Sequence, residues 1–263
     1  MTAEFTAAAA LKAITASRPG ERPSPIRDAA FDAVRTAVAE SLRGATGLGG
    51  AETAVAAVAQ AVAIAEKMWA EVRATPAFAL GTRPAACRKG CGWCCHQRVG
   101  SPAVEVLYIA ERLRQRPDAS TLIARLEAWS GGRPCVFLAD GGCSIYELRP
   151  LKCRGLYQVD ARWCMSTYAK IDAPVFGPPP SHEYQMPPKD VFDGAVFGLA
   201  LPFHSAGHDC PGVDFVPALK AIIHRPDAAQ AWWRGATIFP AEVRLHDWFP
   251  PLPKASKAAK KRR

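Results

Sequence analysis

Cys87-Arg-Lys-Gly-Cys91-Gly-Trp-Cys94-Cys95, followed further on by Cys135-Val-Phe-Leu and Cys143-Ser-Ile-Tyr-Glu-Leu-Arg-Pro-Leu-Lys-Cys153-Arg154, decides how this 263-residue chain is read. Eight of its nine cysteines fall between Cys87 and Cys164. In the first group the sulfurs stand at i, i+4, i+7 and i+8, and would share one face of a helix. If the segment is a turn instead, Cys91-Gly-Trp-Cys94 has the two-residue spacing that gathers thiolates around one ion, with Gly92 easing the bend. Either way the sulfurs converge. Cys94 and Cys95 cannot point the same way along a strand, so they serve different ions or one of them stands behind the other. The second group, Cys135, Cys143, Cys153 and Cys164, comes from separate stretches. Ala-Asp-Gly-Gly between Cys135-Val-Phe-Leu and Cys143-Ser-Ile-Tyr146 predicts a hairpin turn with Cys135 and Cys143 on its two arms. Cys153 follows Arg149-Pro150 on the next turn.

Sulfur donors of this kind suit zinc, held tetrahedrally, or an iron–sulfur cluster, and suit magnesium or calcium poorly. Four thiolates around a divalent ion leave net negative charge, which Arg88, Lys89, Arg98, Arg149, Lys152 and Arg154 are near enough in sequence to offset. The competing explanation is a set of buried apolar cysteines, common for a single thiol. It accounts poorly for eight in one window with a vicinal pair. The candidate metal ligands are therefore Cys87, Cys91, Cys94, Cys95, Cys135, Cys143, Cys153 and Cys164.

These motifs resemble the YkgJ-type cysteine-cluster proteins, whose shared module is described as zinc- or iron-chelating. The resemblance covers roughly residues 84 to 165, and its most specific part is the run from Cys143-Ser-Ile-Tyr through Arg-Pro to Cys153-Arg154. It implies ligation by Cys87, Cys91, Cys94, Cys95, Cys135, Cys143 and Cys153; Cys164 has no firm spacing in the family. A related cluster in flagellin lysine methylases raises the alternative of an iron–sulfur enzyme.

The charge of +9 looks like a nucleic-acid signal until it is located: six Lys and Arg lie in Lys254–Arg263. The remaining excess is modest, and a short terminal basic run reads first as a solvated tail, with nucleic-acid contact as the alternative. Met1–Ile14 has Glu4 ahead of any basic residue and does not read as a secretory signal. The most apolar stretch, Ala54–Ala65, is shorter than the roughly 20 residues a membrane span needs. The chain therefore reads as cytoplasmic with no membrane association, where cysteines serve as metal ligands or redox groups more than as disulfides.

The expected fold is mostly α with a small β-hairpin: an irregular, metal-stapled cysteine-cluster module flanked by helices. Ser24-Pro25 starts a helix whose apolar face is Ala30, Phe31, Val34, Val38 and Leu42. A second helix after Gly49-Gly50 carries Val55, Val58, Val62, Ala65 and Trp69 at spacings of three and four. The pair reads as a helical hairpin. Ser101-Pro102 predicts another helix start, with Val106, Ile109, Ala110 and Leu113 inward. A further helix from about Ser120 buries Leu122, Leu126 and Trp129. Six prolines in residues 171 to 190 predict a long loop, and short helices resume near 189 to 201, 212 to 224 and 227 to 234. The organisation is a helical region over 1–80, the metal-binding segment over 81–170, a helical and loop extension over 171–250, and a basic tail over 251–263.

Other candidates are weaker. His204-Ser-Ala-Gly-His208-Asp-Cys210 has two imidazoles four apart, but Gly207 and Pro211 weaken the helix that would align them, and a helix-end pair is the preferred reading. His96 is a substitute for a thiolate. Tyr146, Arg149 and Arg154 suit an anionic substrate, although balancing thiolate charge explains the arginines more simply. No phosphate-cradling glycine loop, nucleophile elbow or dinucleotide fingerprint occurs. The reading is a zinc- or iron-binding protein whose partner is the metal ion itself. Its alternatives are an iron–sulfur enzyme and an interaction module built on the tail.

Overall fold

The computed structural model of the chain describes residues 24–45, 47, 49–76, 78, 84–167 and 186–246. Met1–Ile14, the basic tail and most of the proline-rich 171–190 stretch lie outside them. The described chain is mostly helical with two small antiparallel sheets.

Helix α1 (Pro25–Leu42) begins where the sequence predicts. Pro25 occupies the first turn and the Ser24 hydroxyl accepts from the Arg27 N–H at 3.3 Å, satisfying one of the donors that a helix start leaves unmatched. Its apolar stripe, Ala30, Phe31, Val34 and Val38, is fully buried. Helix α2 (Gly49–Arg73) buries Val55, Val58, Ala65 and Trp69 in the same manner. The two do pack together, but the main partner of α1 is a later helix, α7 (Met186–Ser205). The reason is glycine. A Cβ at Gly194 would sit 2.3 Å from the Arg27 carbonyl oxygen, and one at Gly198 would sit 2.6 Å from that of Phe31. Two side-chain-free positions one turn apart let α7 lie backbone to backbone on α1. Sealing Phe31 there contributes roughly 1.5–3 kcal/mol of hydrophobic stabilisation.

Between these helices and the cysteines runs α3 (Ala103–Arg114), whose Val104, Val106, Ile109, Ala110 and Leu113 are buried. Its start corrects the sequence reading. Ser101-Pro102 does not open the helix but forms strand β1 (Gly100–Pro102), paired antiparallel with β4 (Gly212–Asp214) so that Ser101 faces Val213. Helix α4 (Ala119–Ala128) buries Leu122 and Leu126, while Trp129 lies past its end and is only half-buried. Strands β2 (Leu138–Ala139) and β3 (Gly142–Cys143) make the expected hairpin. Asp140 and Gly141, at φ +48° and +77°, supply the left-handed pair that such a turn requires. The short helices α5 (Leu151–Arg154) and α6 (Ala161–Thr167) follow, and α8 (Phe215–Ile222) and α9 (Ala228–Trp233) complete the core.

Candidate metal centre

The first cysteine group takes the turn geometry. Gly90, at φ +88°, lets the chain reverse, and the Cys91 N–H donates to the Arg88 carbonyl at 3.0 Å. A single 3-10 turn, Trp93–His96, then carries Cys94 and Cys95. On this turn the vicinal pair is not split to opposite sides, as it would be on a strand. The Cys95 thiol donates to the Cys94 sulfur.

Backbone contacts dock this turn on the second group. The Cys135 N–H donates to the Cys95 carbonyl at 2.7 Å. Gly92 lies so close to the hairpin that a Cβ there would stand 2.4 Å from Leu138 Cδ1 and 2.7 Å from the Gly141 oxygen. Arg125 clamps the approach to the hairpin by donating to the carbonyls of Val136 and Leu138, at 2.5 and 3.0 Å. Cys143 lies on β3 as expected. Cys135 does not lie on an arm: strand pairing begins only at Leu138, and the Cys135 carbonyl accepts from the Leu138 N–H in a preceding turn. The two are brought together by that turn and not by cross-strand register.

Cys153 is presented by α5. Buried Glu105 accepts from the Leu151 N–H at 2.7 Å and so fixes the start of that helix. Lys152 and Lys189 both donate to Asp193 of α7 at 2.5 Å. Burial pushes the Asp193 carboxyl up, but the two ammonium groups outweigh it and hold it down at about 2. Cys164 comes from α6, and Cys87 is anchored by Gln158, whose N–H donates to its sulfur at 3.2 Å.

All eight predicted ligands face two adjoining cavities. The larger, about 380 Å³, is lined by Cys91, Cys94, Cys95, Cys135, Cys143 and Cys153. The smaller, about 90 Å³, is lined by Cys87, Cys91, Cys94, Cys153 and Cys164. The charges that act on each sulfur follow the same division. Cys95 is influenced by Cys94, Cys135 and Cys143, and Cys164 by Cys87, Cys91 and Cys94. Among the described residues, however, no three His, Cys, Asp or Glu side chains already stand in metal-holding geometry. The thiols line shared walls without closing on a point, and all nine cysteines are free of disulfides.

The electrostatics explain what such an array lacks. Burial, with added repulsion from neighbouring sulfurs, pushes Cys135 up to about 11 and Cys164 up to about 12, and raises Cys87, Cys143 and Cys153. Cys95 is raised chiefly by holding its proton on Cys94. Cys94 is the exception, lowered to about 7 by that hydrogen bond against the cost of burial, with the Arg149 charge assisting. Buried thiols that raise one another's pKa resist ionising together unless a cation joins them. The donor set is soft sulfur. The one carboxylate on the larger cavity, Asp214, is taken by Arg98 at 2.6 Å. These residues fit zinc or iron and do not fit magnesium or calcium.

Of the six basic residues near the motifs in sequence, only Arg149 lies on both cavities together with the shared cysteines. Its guanidinium stacks over the Tyr146 ring at 4.0 Å. Arg154 does not face the site. It is buried, donating to Glu66 at 2.7 Å and to the carbonyls of Arg149 and Glu147. It therefore positions the Arg149 backbone. His96 faces a separate recess beside Cys91. His204 ends α7, His208 stacks on Trp233 at 4.1 Å, and Cys210 is fully buried, its thiol pushed up to about 12 by burial. Sequence reasoning missed Trp129, Gln97 and Phe215 on the larger cavity. Phe215 arrives only through the β1–β4 pairing, which leaves no local signal.

Residues 86–170 match the model of the CxxCxxCC family, the YkgJ-type family, described as "Putative zinc- or iron-chelating domain". No curated protein and no solved structure matches the chain. No helix among the described residues is long and apolar enough to cross a membrane.

Proposed function

Taking residues 86–170 as a YkgJ-type domain, we propose that the chain is a metal-binding protein of a reducing, cytoplasmic setting, holding zinc or iron in the thiolates of two neighbouring sets. Cys95, Cys135, Cys143 and Cys153 make one set, and Cys87, Cys91, Cys94 and Cys164 the other. The observation that carries this reading is the facing of all eight cysteines onto two cavities that share Cys91, Cys94 and Cys153. The ion supplies the positive charge that lets these thiols ionise, and each thiol that joins it gives its proton to water. Arg149 offsets part of the residual negative charge. Because the sulfurs do not already stand in metal-holding geometry, loading draws the turn, the hairpin and α5 inward, and metal binding is coupled to local ordering.

Anaerobic purification followed by elemental analysis tests this directly. The expected result is stoichiometric zinc or iron, of which the share held by Cys95, Cys135, Cys143 and Cys153 is lost when Cys135 and Cys143 are both replaced by serine. Protein that stays metal-free under those conditions, and takes up neither ion on titration, overturns the proposal. A second reading, an iron–sulfur enzyme, is favoured by one observation: a cavity of about 380 Å³ opens directly onto six of the thiols. It requires visible absorbance from an iron–sulfur chromophore, and a colourless zinc protein removes it.

A further inference from the structure

The larger cavity has walls that its cysteines do not explain. Val99, Phe137, Ile145, Phe215, Val216 and Pro217 give it an apolar body. Its volume falls within the range of small-molecule sites. Three polar atoms on the lining residues lack partners. Arg149 Nε, Gln97 Nε2 and Trp129 Nε1 are all donors on lining residues, all are shielded from solvent, and none finds an acceptor among the described residues. A buried donor with no acceptor has forfeited the hydrogen bond it made with water. Those three atoms are covered even towards the cavity, but Arg149 carries further N–H groups, on Nη1 and Nη2, that are not among the shielded atoms. The single lining carboxylate, Asp214, is occupied by Arg98 through two hydrogen bonds at 2.8 and 2.6 Å.

Arg149 is the charged member of this trio. It forms no ion pair among the described residues, yet it is held in place by its stack on Tyr146 and by Arg154, which donates to its carbonyl at 3.0 Å. A fixed guanidinium is suited to the two oxygens of a carboxylate. We propose that this cavity is a binding site for an organic carboxylate with an aromatic or branched apolar body, its charged end at Arg149 and its body between Phe137, Phe215 and Val216. The ligand lies against the thiols that line the same space. A cationic ligand would meet no unpaired carboxylate there. This inference goes beyond the metal reading and does not require it. Arg149 also acts on Cys94 and Cys143, and a guanidinium with five N–H groups can serve sulfur and carboxylate together.

The test is isothermal titration of the full chain, as purified anaerobically and after chelation, with 2-naphthoate, 4-phenylbutyrate and 4-methylpentanoate and with the alcohols of the same three bodies. Metal content is measured on every sample. Carboxylates are expected to bind at least about tenfold more tightly than their alcohols. R149Q is expected to erase that preference. The proposal is overturned if no probe binds more tightly than about 10 mM, if acids and alcohols bind alike, or if R149Q keeps the wild-type preference. R149Q that loses metal but keeps carboxylate affinity also overturns it, since Arg149 then only balances thiolate charge. Selective carboxylate binding by metal-free wild-type protein would support this inference even if the metal proposal had failed.

Discussion

Replacing Gly92 by alanine tests the docking of the first cysteine turn on the hairpin, the step that brings the two cysteine groups together. Gly92 has φ −100°, so alanine adds no backbone strain, and the whole effect comes from its methyl group. Leu138 Cδ1, 2.4 Å from the new Cβ, is the end of a flexible side chain and can swing away. The Gly141 carbonyl at 2.7 Å is backbone in a tight turn and cannot. Restoring ordinary contact, at 3.4 Å or more, needs the turn and hairpin to part by about 0.7 Å. Such overpacking typically costs about 1–3 kcal/mol, set against roughly 0.4–1 kcal/mol regained from the stiffer unfolded chain. Because the parted elements carry Cys91, Cys94, Cys95 and Cys143, the loss falls on metal affinity, by roughly tenfold. Competition against a chromophoric chelator measures it, with G44A as control, since a Cβ there meets nothing within 4 Å. Unchanged affinity in G92A would refute the docking.

Two further outcomes follow from the packing around the site. Asp193 has its pKa depressed on folding, so its contribution is fully present above the unfolded carboxylate value near 4 and is lost as pH falls towards about 2. It amounts to about 2 kcal/mol, and D193N should flatten that part of the acid unfolding curve; an unaltered curve would contradict the Lys152–Asp193–Lys189 arrangement. G198A sets a methyl group 2.6 Å from the Phe31 carbonyl oxygen. It should lower the melting temperature by a few degrees, because ~1–3 kcal/mol of overpacking exceeds ~1 kcal/mol of gained helix propensity. A raised melting temperature would contradict the close crossing of α1 and α7.

What could be read in the sequence was whatever is periodic or local. The stripe Ala30, Phe31, Val34, Val38 repeats at helical spacing, and Ser24-Pro25 states its own cap, so the start of α1 was legible to the residue. Asp140-Gly141 stated the hairpin turn because few pairs tolerate two positive φ values. The eight cysteines announced themselves by density, and all of them face the two cavities. Long-range pairing was not legible. Ser101-Pro102 looks like a helix start, and only Gly212–Asp214, far along the chain, makes it a strand. Gly194 and Gly198 gave a spacing that could have signalled a close helix crossing, but not its partner. Arg154 read as a balance for thiolate charge because its neighbours in sequence are the motif; Glu66, which it reaches, belongs to α2.

X-ray absorption at the zinc or iron edge, on protein purified without oxygen, reads the coordination sphere itself. The expected shell is about four sulfurs per ion, near 2.3 Å for zinc, with the ion content per chain falling when Cys135 and Cys143 are replaced. A shell of only nitrogen and oxygen atoms, or an ion content unaffected by that double replacement, would contradict thiolate ligation by the two sets.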